Sequence, residues 1–472
     1  MKKILVAISI IASFPLSAQV TTPYSHWKGS EGKVLTLQQL KDSALHNNIA
    51  IRNAKQSVEV AKQQRKEAFT KYFPSLSGTG LWFNADKGMA KMDMSPSEFI
   101  SPEIGNTLAQ ILPAEMLAAI GSPISMTMMK NGTIAGITAI QPIFAGGQIV
   151  NGNRLAKVGE DVSRLQLQLS EKEVEKQTGQ YYWQLVTLQE KMKTIKAVQT
   201  LLADICKDVE VAVRAGVAMR NDLLQVQLRQ NEVESQEVKL QNGINIIKLL
   251  LGQYANLTPT PSPKDNGIAY DFEIAMPDIE QQEVILPSLL EKEQGVRQLP
   301  EYQLLQKQVE ATDLQRKMEI GKNLPMLGVG AGYNYHNLME NDRTFGMVFA
   351  TVSVPISDWW SGSHAIKRQK IQQKKAIEQL EDNSQLLKIR IQKAWNDVQE
   401  AYQQLAITRR SIEQAEENLR MNRDFYRAGT CRMSDFLEAQ LFYQQARDKH
   451  TDAYANYQNK LMEFNQSIGK RS

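Results

Sequence analysis

The sequence predicts a mainly α-helical chain with a small β part, built as a duplicated unit of long helical hairpins and membrane-length strands. Three observations carry this. Pro142 recurs as Pro355 and Gly216 as Gly429, both 213 positions on (355 − 142 and 429 − 216), so two separated landmarks share one offset. Between them run long stretches whose apolar residues recur three and four apart. Before each such stretch the period switches to the alternation of strands.

The first residues supply a compartment. Lys2-Lys3, an apolar run from Ile4 to Phe14 and small residues at Ser17-Ala18 read as a secretory signal over residues 1–18, cut before Gln19. Its removal would lower the formal charge from +4 to +2, a near balance that argues against nucleic-acid binding. No cysteine lies near the cut to accept a lipid, and no stretch approaches 18 apolar residues, the length an inner-membrane helix needs.

Residues 19–74 form an N-terminal segment and the first helix of repeat one, ending at Phe73-Pro74. A first β-hairpin with a long loop is expected over 75–143, its strands at Ser75 to Asn84 and Thr133 to Pro142. The second β-hairpin, 325–355, has strands at Met326 to His336 and Phe345 to Pro355. Each strand is about ten residues long, which suits a tilted membrane crossing. Pro74 and Pro325 lead into the strands; Pro142 and Pro355 stand where proline can stop a ladder. Pro74 to Pro325 is 251 positions, so the first hairpin carries 38 extra residues (251 − 213), the Met-, Ser- and Pro-rich stretch from Met89 to Met129. That stretch is either a variable surface loop or a soft-metal site, and neither His nor Cys accompanies its methionines.

The long helical hairpins are expected over 144–251 and 356–468. In the first, Leu155, Val158, Val162, Leu165 and Leu169 lead to Leu185, Leu188, Met192, Ile195, Val198, Leu202, Ile205 and Val209; in the second, Leu387, Ile391, Val398, Leu405, Ile412 and Leu419 repeat the pattern. Each long helix would extend about 100 Å, three times a bilayer's hydrocarbon core, so it does not span one. Gly216 and Gly429 mark the tips, because glycine readily takes the positive φ that ends a helix. Asn221-Asp222 and Ser434-Asp435 are expected to cap the returning helices. Between the repeats lie a polar, Pro-rich insert (252–297) and the second repeat's first helix (298–324); a short tail, 469–472, ends the chain.

Four strands cannot close a barrel with a lumen, and lipid leaves no strand edge unpaired. Several chains must therefore share one barrel, and three would supply twelve strands. A secreted chain with such strands belongs in an outer membrane.

These segments resemble the TolC-like outer membrane efflux proteins, the outer membrane factors. The residues that carry the resemblance are ALHNNIAIRNAKQSVEVAKQQRKEAFTKYFPSL (44–76), QPIFAGG (141–147), VRAGVAMRNDLL (213–224), LPEYQLLQKQVEATDLQRKMEIGKNLPML (299–327), VPIS (354–357) and YRAGTCRMSDFLEAQ (426–440). The resemblance implies a homotrimer with a twelve-stranded β-barrel in the outer membrane of a Gram-negative cell and a coiled-coil tunnel through the periplasm. The insert 252–297 and the chain ends would form an equatorial belt, unless the insert is a plain linker. Such a duct is passive, the exit of a tripartite efflux or type I secretion system. It is opened at its tips by a periplasmic adaptor (membrane fusion protein) and an inner-membrane pump of the RND or ABC type. The outer membrane lipid is its surrounding, and neither enzyme activity nor a cofactor is expected.

By the same resemblance, Asp435 and Glu438 match gate carboxylates, and threefold symmetry would stack them as two rings that favour cations. The alternative for Asp435 is a helix cap alone, as its first-repeat partner Asp222 offers. Asp222 and Tyr426, with Asn221 alongside, match a latch that holds the tips closed. Where the family's latch arginine is expected this chain has Cys431, so Arg432 is the candidate replacement. Cys206 and Cys431 fall near the tips but out of repeat register, which favours two free thiols over a bridge. The five histidines, His26, His46, His336, His364 and His450, show no ligand spacing. Trp359-Trp360 suit an interfacial aromatic girdle, and Trp82 either that or core packing. The rival reading is a periplasmic coiled-coil scaffold or adaptor without a channel, which leaves the four strands unexplained.

Overall fold

The computed structural model describes residues 34–87, 90–94, 100, 101, 104, 113, 124–128, 131–261, 267–279, 286, 287, 295–338, 342–356 and 358–470. The signal segment, most of the Met-rich stretch and part of the insert lie outside the described residues. The elements run β1 (Val34–Leu35), α1 (Leu37–Asn47), α2 (Ile49–Thr70), β2 (Ser75–Asn84), β3 (Ala90–Met94), β4 (Ile124–Met128), β5 (Asn131–Ala145), α3 (Gln148–Arg214) and α4 (Arg220–Tyr254). They continue with β6 (Thr260–Pro261), β7 (Ile268–Ala269), β8 (Glu273–Ile274), α5 (Pro300–Lys322), β9 (Met326–Asn337), β10 (Asp342–Ser353), α6 (Asp358–Arg427) and α7 (Met433–Ser467). The duplication is structural: both returning helices, α4 and α7, have 35 residues. No helix among the described residues is long and apolar enough to cross a membrane.

The chain divides into two units. One comprises residues 53–169 and 295–390. It holds an antiparallel four-stranded sheet of order β10-β9-β5-β2, so β2 and β10 are open edges. The register sorts the faces. One face carries Leu76 and Trp82 of β2, Ile137 and Ala139 of β5, Val329 and Tyr333 of β9, and Val348 and Val352 of β10. The other mixes small and polar residues, Ser75, Ser77, Thr79, Thr138, Gly330, Gly332 and Asn334, with Leu81, Ile134, Ile140, Phe345, Met347 and Phe349. Trp82 is 71% and Val348 87% exposed, so a large apolar surface meets the outside of the chain. Gly330 is required where it stands, because the Phe349 ring lies where a side chain would be.

One expectation is corrected here. β5 does not stop at Pro142; a bulge between Pro142 and Phe144 shifts the register and the strand continues to Ala145. Bulges accommodate a residue that cannot donate to the ladder. Gly146 and Gly147, both at positive φ, then turn the chain into α3. Pro74 and Pro325 directly precede β2 and β9, and Pro355 follows β10 by one residue beyond Val354.

Each long strand is continuous with a helix of the same unit: α2 leads into β2, β5 into α3, α5 into β9 and β10 into α6. Lateral contacts put those helices in the order of the strands. Arg65 of α2 pairs with Glu160 of α3 at 3.0 Å, Lys307 of α5 with Asp161 of α3 at 2.9 Å, and Arg390 of α6 with Glu301 of α5 at 2.7 Å. Each of the four strands is thus joined to a helix of one row.

The other unit comprises residues 1–52, 170–294 and 391–472. Its cluster of buried apolar residues joins Ile195, Val198, Leu202, Ile205 and Val209 of α3 to Val226 and Val233 of α4 and to Met433 and Phe436 of α7. Further along, Trp183 meets Tyr454 and Trp395 meets Phe464 edge-on or tilted. The described part of the insert is tied down: β8 pairs in parallel with β1, Tyr182 Oη donates to the Ala275 carbonyl at 2.6 Å, and Asn48 donates to the Tyr254 carbonyl at 2.9 Å. Thr36 and Gln39 close a capping box that starts α1.

Candidate functional site

The two hairpin tips repeat the same backbone turn. α3 ends at Arg214 and Gly216 takes φ 75°; α6 ends at Arg427 and Gly429 takes φ 72°. Val217 N–H reaches back to the Ala212 carbonyl and Thr430 N–H to that of Phe425, each at 2.9 Å, which closes a Schellman turn in both copies. The returning helices then begin one turn earlier than Asn221-Asp222 and Ser434-Asp435 suggested: the cap positions are Met219 and Arg432. Asp222 and Asp435 sit three residues in and accept from the cap's backbone N–H, Met219 to Asp222 at 3.2 Å and Arg432 to Asp435 at 3.3 Å. A carboxylate there serves the same orphan donors and the positive end of the helix dipole.

Asp435 accepts a second bond, from Ser434 Oγ at 3.1 Å, and remains exposed. Glu438, one turn on, is also exposed, on the opposite side of α7 from buried Met433, Phe436 and Gln440. The two carboxylates therefore share the outer face of their helix.

Tyr426 is half-buried and stacks on Phe436 with ring centroids 5.8 Å apart. Burial first, and then the nearby charges of Asp222 and Cys431, push its phenol pKa up. The Asp222 carboxylate thus lies near enough for its charge to reach the Tyr426 phenol. Asn221 stays exposed, and Arg432 acts through its backbone N–H on Asp435. Cys431 turns its thiol to the Asn422 carbonyl at 3.4 Å. Both cysteines are free, and burial raises both thiols above the usual range.

A buried polar network was missed from the sequence. Arg229 of α4 donates through Nε to Gln440 at 3.0 Å and through Nη2 to Gln444 at 2.8 Å, both on α7. Nη1 pairs with Glu232 at 2.9 Å, and Gln444 donates onward to Gln236 at 2.8 Å. Arg229, Gln440 and Gln444 are 8%, 1% and 4% exposed. The signal was present: Arg229 fills the seven-residue gap in the apolar stripe between Val226 and Val233, where helical spacing demands an inward side chain. Its repeat equivalent, 213 positions on, is Phe442 (442 − 229), so the network belongs to one junction only.

Among the described residues no group of three or more His, Cys, Asp or Glu could hold a metal.

With this geometry in place, residues 300–470 match the family model for outer membrane efflux proteins. A search of curated proteins finds no match. Among solved structures, the Campylobacter jejuni CmeC outer membrane channel is similar at 15% identity, covering 94% of this chain and 90% of that one, with a TM-score of 0.70. The outer membrane protein VceC from Vibrio cholerae is similar at 13% identity, covering 92% and 96%, with a TM-score of 0.69. The open-state MtrE outer membrane channel of Neisseria gonorrhoeae is similar at 14%, covering 92% and 89%, with a TM-score of 0.67. The class of fold is therefore that of the outer membrane efflux channels, over nearly the whole chain.

Proposed function

We propose that the protein is an outer membrane efflux channel: a passive trimeric duct, open to the outside through a shared barrel and gated at its periplasmic hairpin tips. One observation carries this reading. The chain offers a four-stranded sheet with an apolar face and two open edges, and each strand continues into a helix of the row below. Pairing β10 of one copy with β2 of the next satisfies every edge, which lipid requires, and three copies give twelve strands.

In that assembly the tips converge, and Asp435 and Glu438 from three copies form rings of like charge that attract cations. Asp222, Tyr426 and Asn221, with Arg432 nearby, hold the hairpins together in the closed state. An adaptor and an inner-membrane pump separate them, and the cargo passes without chemistry. The similar CmeC and MtrE structures are outer membrane channels, which supports this role. Fractionation of the producing cell, followed by electrophoresis that preserves trimers and by planar-bilayer recording, tests it. Ion-conducting trimers in the outer membrane fraction support the reading; a soluble, non-conducting protein contradicts it.

A further inference from the structure

The ends of the helices nearest the sheet repeat one arrangement that the duct does not explain. Just before β2, Phe69, Tyr72 and Phe73 are exposed, and one to two turns below them on α2 stand Lys62, Arg65 and Lys66. Just after β10, Trp359 and Trp360 are exposed, Trp360 by 83%, and two turns further along α6 stand Lys367, Arg368 and Lys370. Seven residues of helix separate Trp360 from Lys367 by about 10 Å. From Ser361 to Ile377, α6 carries Lys367, Arg368, Lys370, Lys374 and Lys375 and no acidic residue.

On α2 and α3 the basic groups line a groove of about 860 Å³, with Lys66, Arg154 and Lys157 at its walls and Phe69 and Tyr72 at its sheet-proximal end. Its carboxylate, Glu160, is engaged by Arg65 and Arg164 at 3.0 and 2.7 Å. Lys66, Arg154 and Lys157, like Lys367, Arg368, Lys370 and Lys375, are exposed and have no ion pair among the described residues. Glu67 is the exposed carboxylate that interrupts the α2 stretch.

We propose that this aromatic and basic collar binds anionic phospholipid headgroups of the membrane leaflet adjoining the helices. The reading rests on the sheet spanning a membrane, as proposed above. Aromatic rings settle at the hydrocarbon boundary, and lysine and arginine stems reach from there to phosphate. Each basic side chain near an anionic surface adds attraction that salt screens. The groove between α2 and α3 admits a headgroup beside Lys66, Arg154 and Lys157. The stripe on α6 gives the second repeat an equivalent seat.

The test uses the full-length protein in lipid nanodiscs of phosphatidylethanolamine with about one third phosphatidylglycerol, transferred to detergent and weighed by native mass spectrometry. Retained phosphatidylglycerol should exceed retained phosphatidylethanolamine, after correction for the starting ratio. The combined variant Lys66→Gln, Arg154→Gln, Lys157→Gln should weaken that preference about tenfold, as should raised salt. Lys367→Gln, Arg368→Gln, Lys370→Gln should do the same independently. Insertion into nanodiscs with no anionic preference overturns this inference and leaves the channel reading standing. A preference unmoved by both variants overturns it too. Failure of the unaltered protein to insert overturns the membrane reading and this inference with it.

Discussion

Arg229 of α4 donates to Gln444 of α7 across 2.8 Å, inside a helix pair where both side chains are buried. Separating these helices at the tips leaves a guanidinium and two glutamine amides to find new partners. Arg229→Met keeps the packing but removes the donor from Gln440 and Gln444. Hydrogen bonds to a charged group contribute about 1.5–3 kcal/mol each, so the variant should lose about 2 kcal/mol or more of stability. Thermal unfolding of the purified protein measures it. A double-mutant cycle with Gln444→Leu should be non-additive by at least about 0.5 kcal/mol, and additivity would deny the coupling.

The gate carboxylates predict a selectivity change. Asp435→Asn with Glu438→Gln should lower the preference for cations and the block by divalent cations in planar bilayers, with trimer assembly retained. The substitution at Asp435 keeps an acceptor for the Arg432 N–H, so the helix start survives. Unaltered selectivity and block would remove both residues from the pore.

Asp222 and Tyr426 predict a change in conductance. Replacing both with alanine should raise the open probability of the isolated channel, if the proposed latch is theirs, because the phenol stacked on Phe436 and the carboxylate whose charge reaches it are both removed. Asp222→Ala alone also removes the acceptor of the Met219 N–H, at a cost of about 1 kcal/mol. Asp222→Asn keeps that acceptor and separates the two effects.

Asp448 predicts a pH dependence. Burial pushes its carboxyl pKa up to about 6, against the opposing charge of Lys191, with Asp452 adding to the rise. Lys191 is itself engaged by Asp452 at 2.7 Å, and Asp448 Oδ1 has no hydrogen-bond partner. An unfolded aspartate titrates near 3.9, so below that pH both states are protonated. Between that pH and about 6 the unfolded carboxyl ionises while the folded one stays protonated, so stability falls across this window and levels off above it. Asp448→Asn should therefore match the parent at pH 4 and exceed it above pH 7, by about 1 kcal/mol once partial exposure is allowed for. Melting temperatures across that range measure the gap, and a constant gap would contradict the assignment.

Much of the fold was legible because its signals are periodic and long. The bounds of α3, of β2 and of the start of β9 follow from apolar spacing and from prolines before the strands. Pro142 marks a stop for β5 in the sequence, yet a bulge carries the ladder past it, which residue spacing does not reveal. The returning helices start about a turn before the Asn-Asp and Ser-Asp pairs, because Asp222 and Asp435 cap from the third helical position rather than from the cap itself. The tips were legible through Gly216 and Gly429, whose positive φ leaves few alternatives. The Arg229 network was not read, since its partners lie on a helix more than 200 residues away in sequence and only tertiary packing joins them.

The central claim is that three copies close one barrel by pairing β10 of each with β2 of the next. Cryo-electron microscopy of the full-length protein in lipid nanodiscs tests it most directly. The account predicts threefold symmetry, twelve continuous strands with β2 hydrogen-bonded to a neighbour's β10, and three pairs of tips converging below. A monomer with both edges unpaired, or a closed barrel with another strand number, would contradict it.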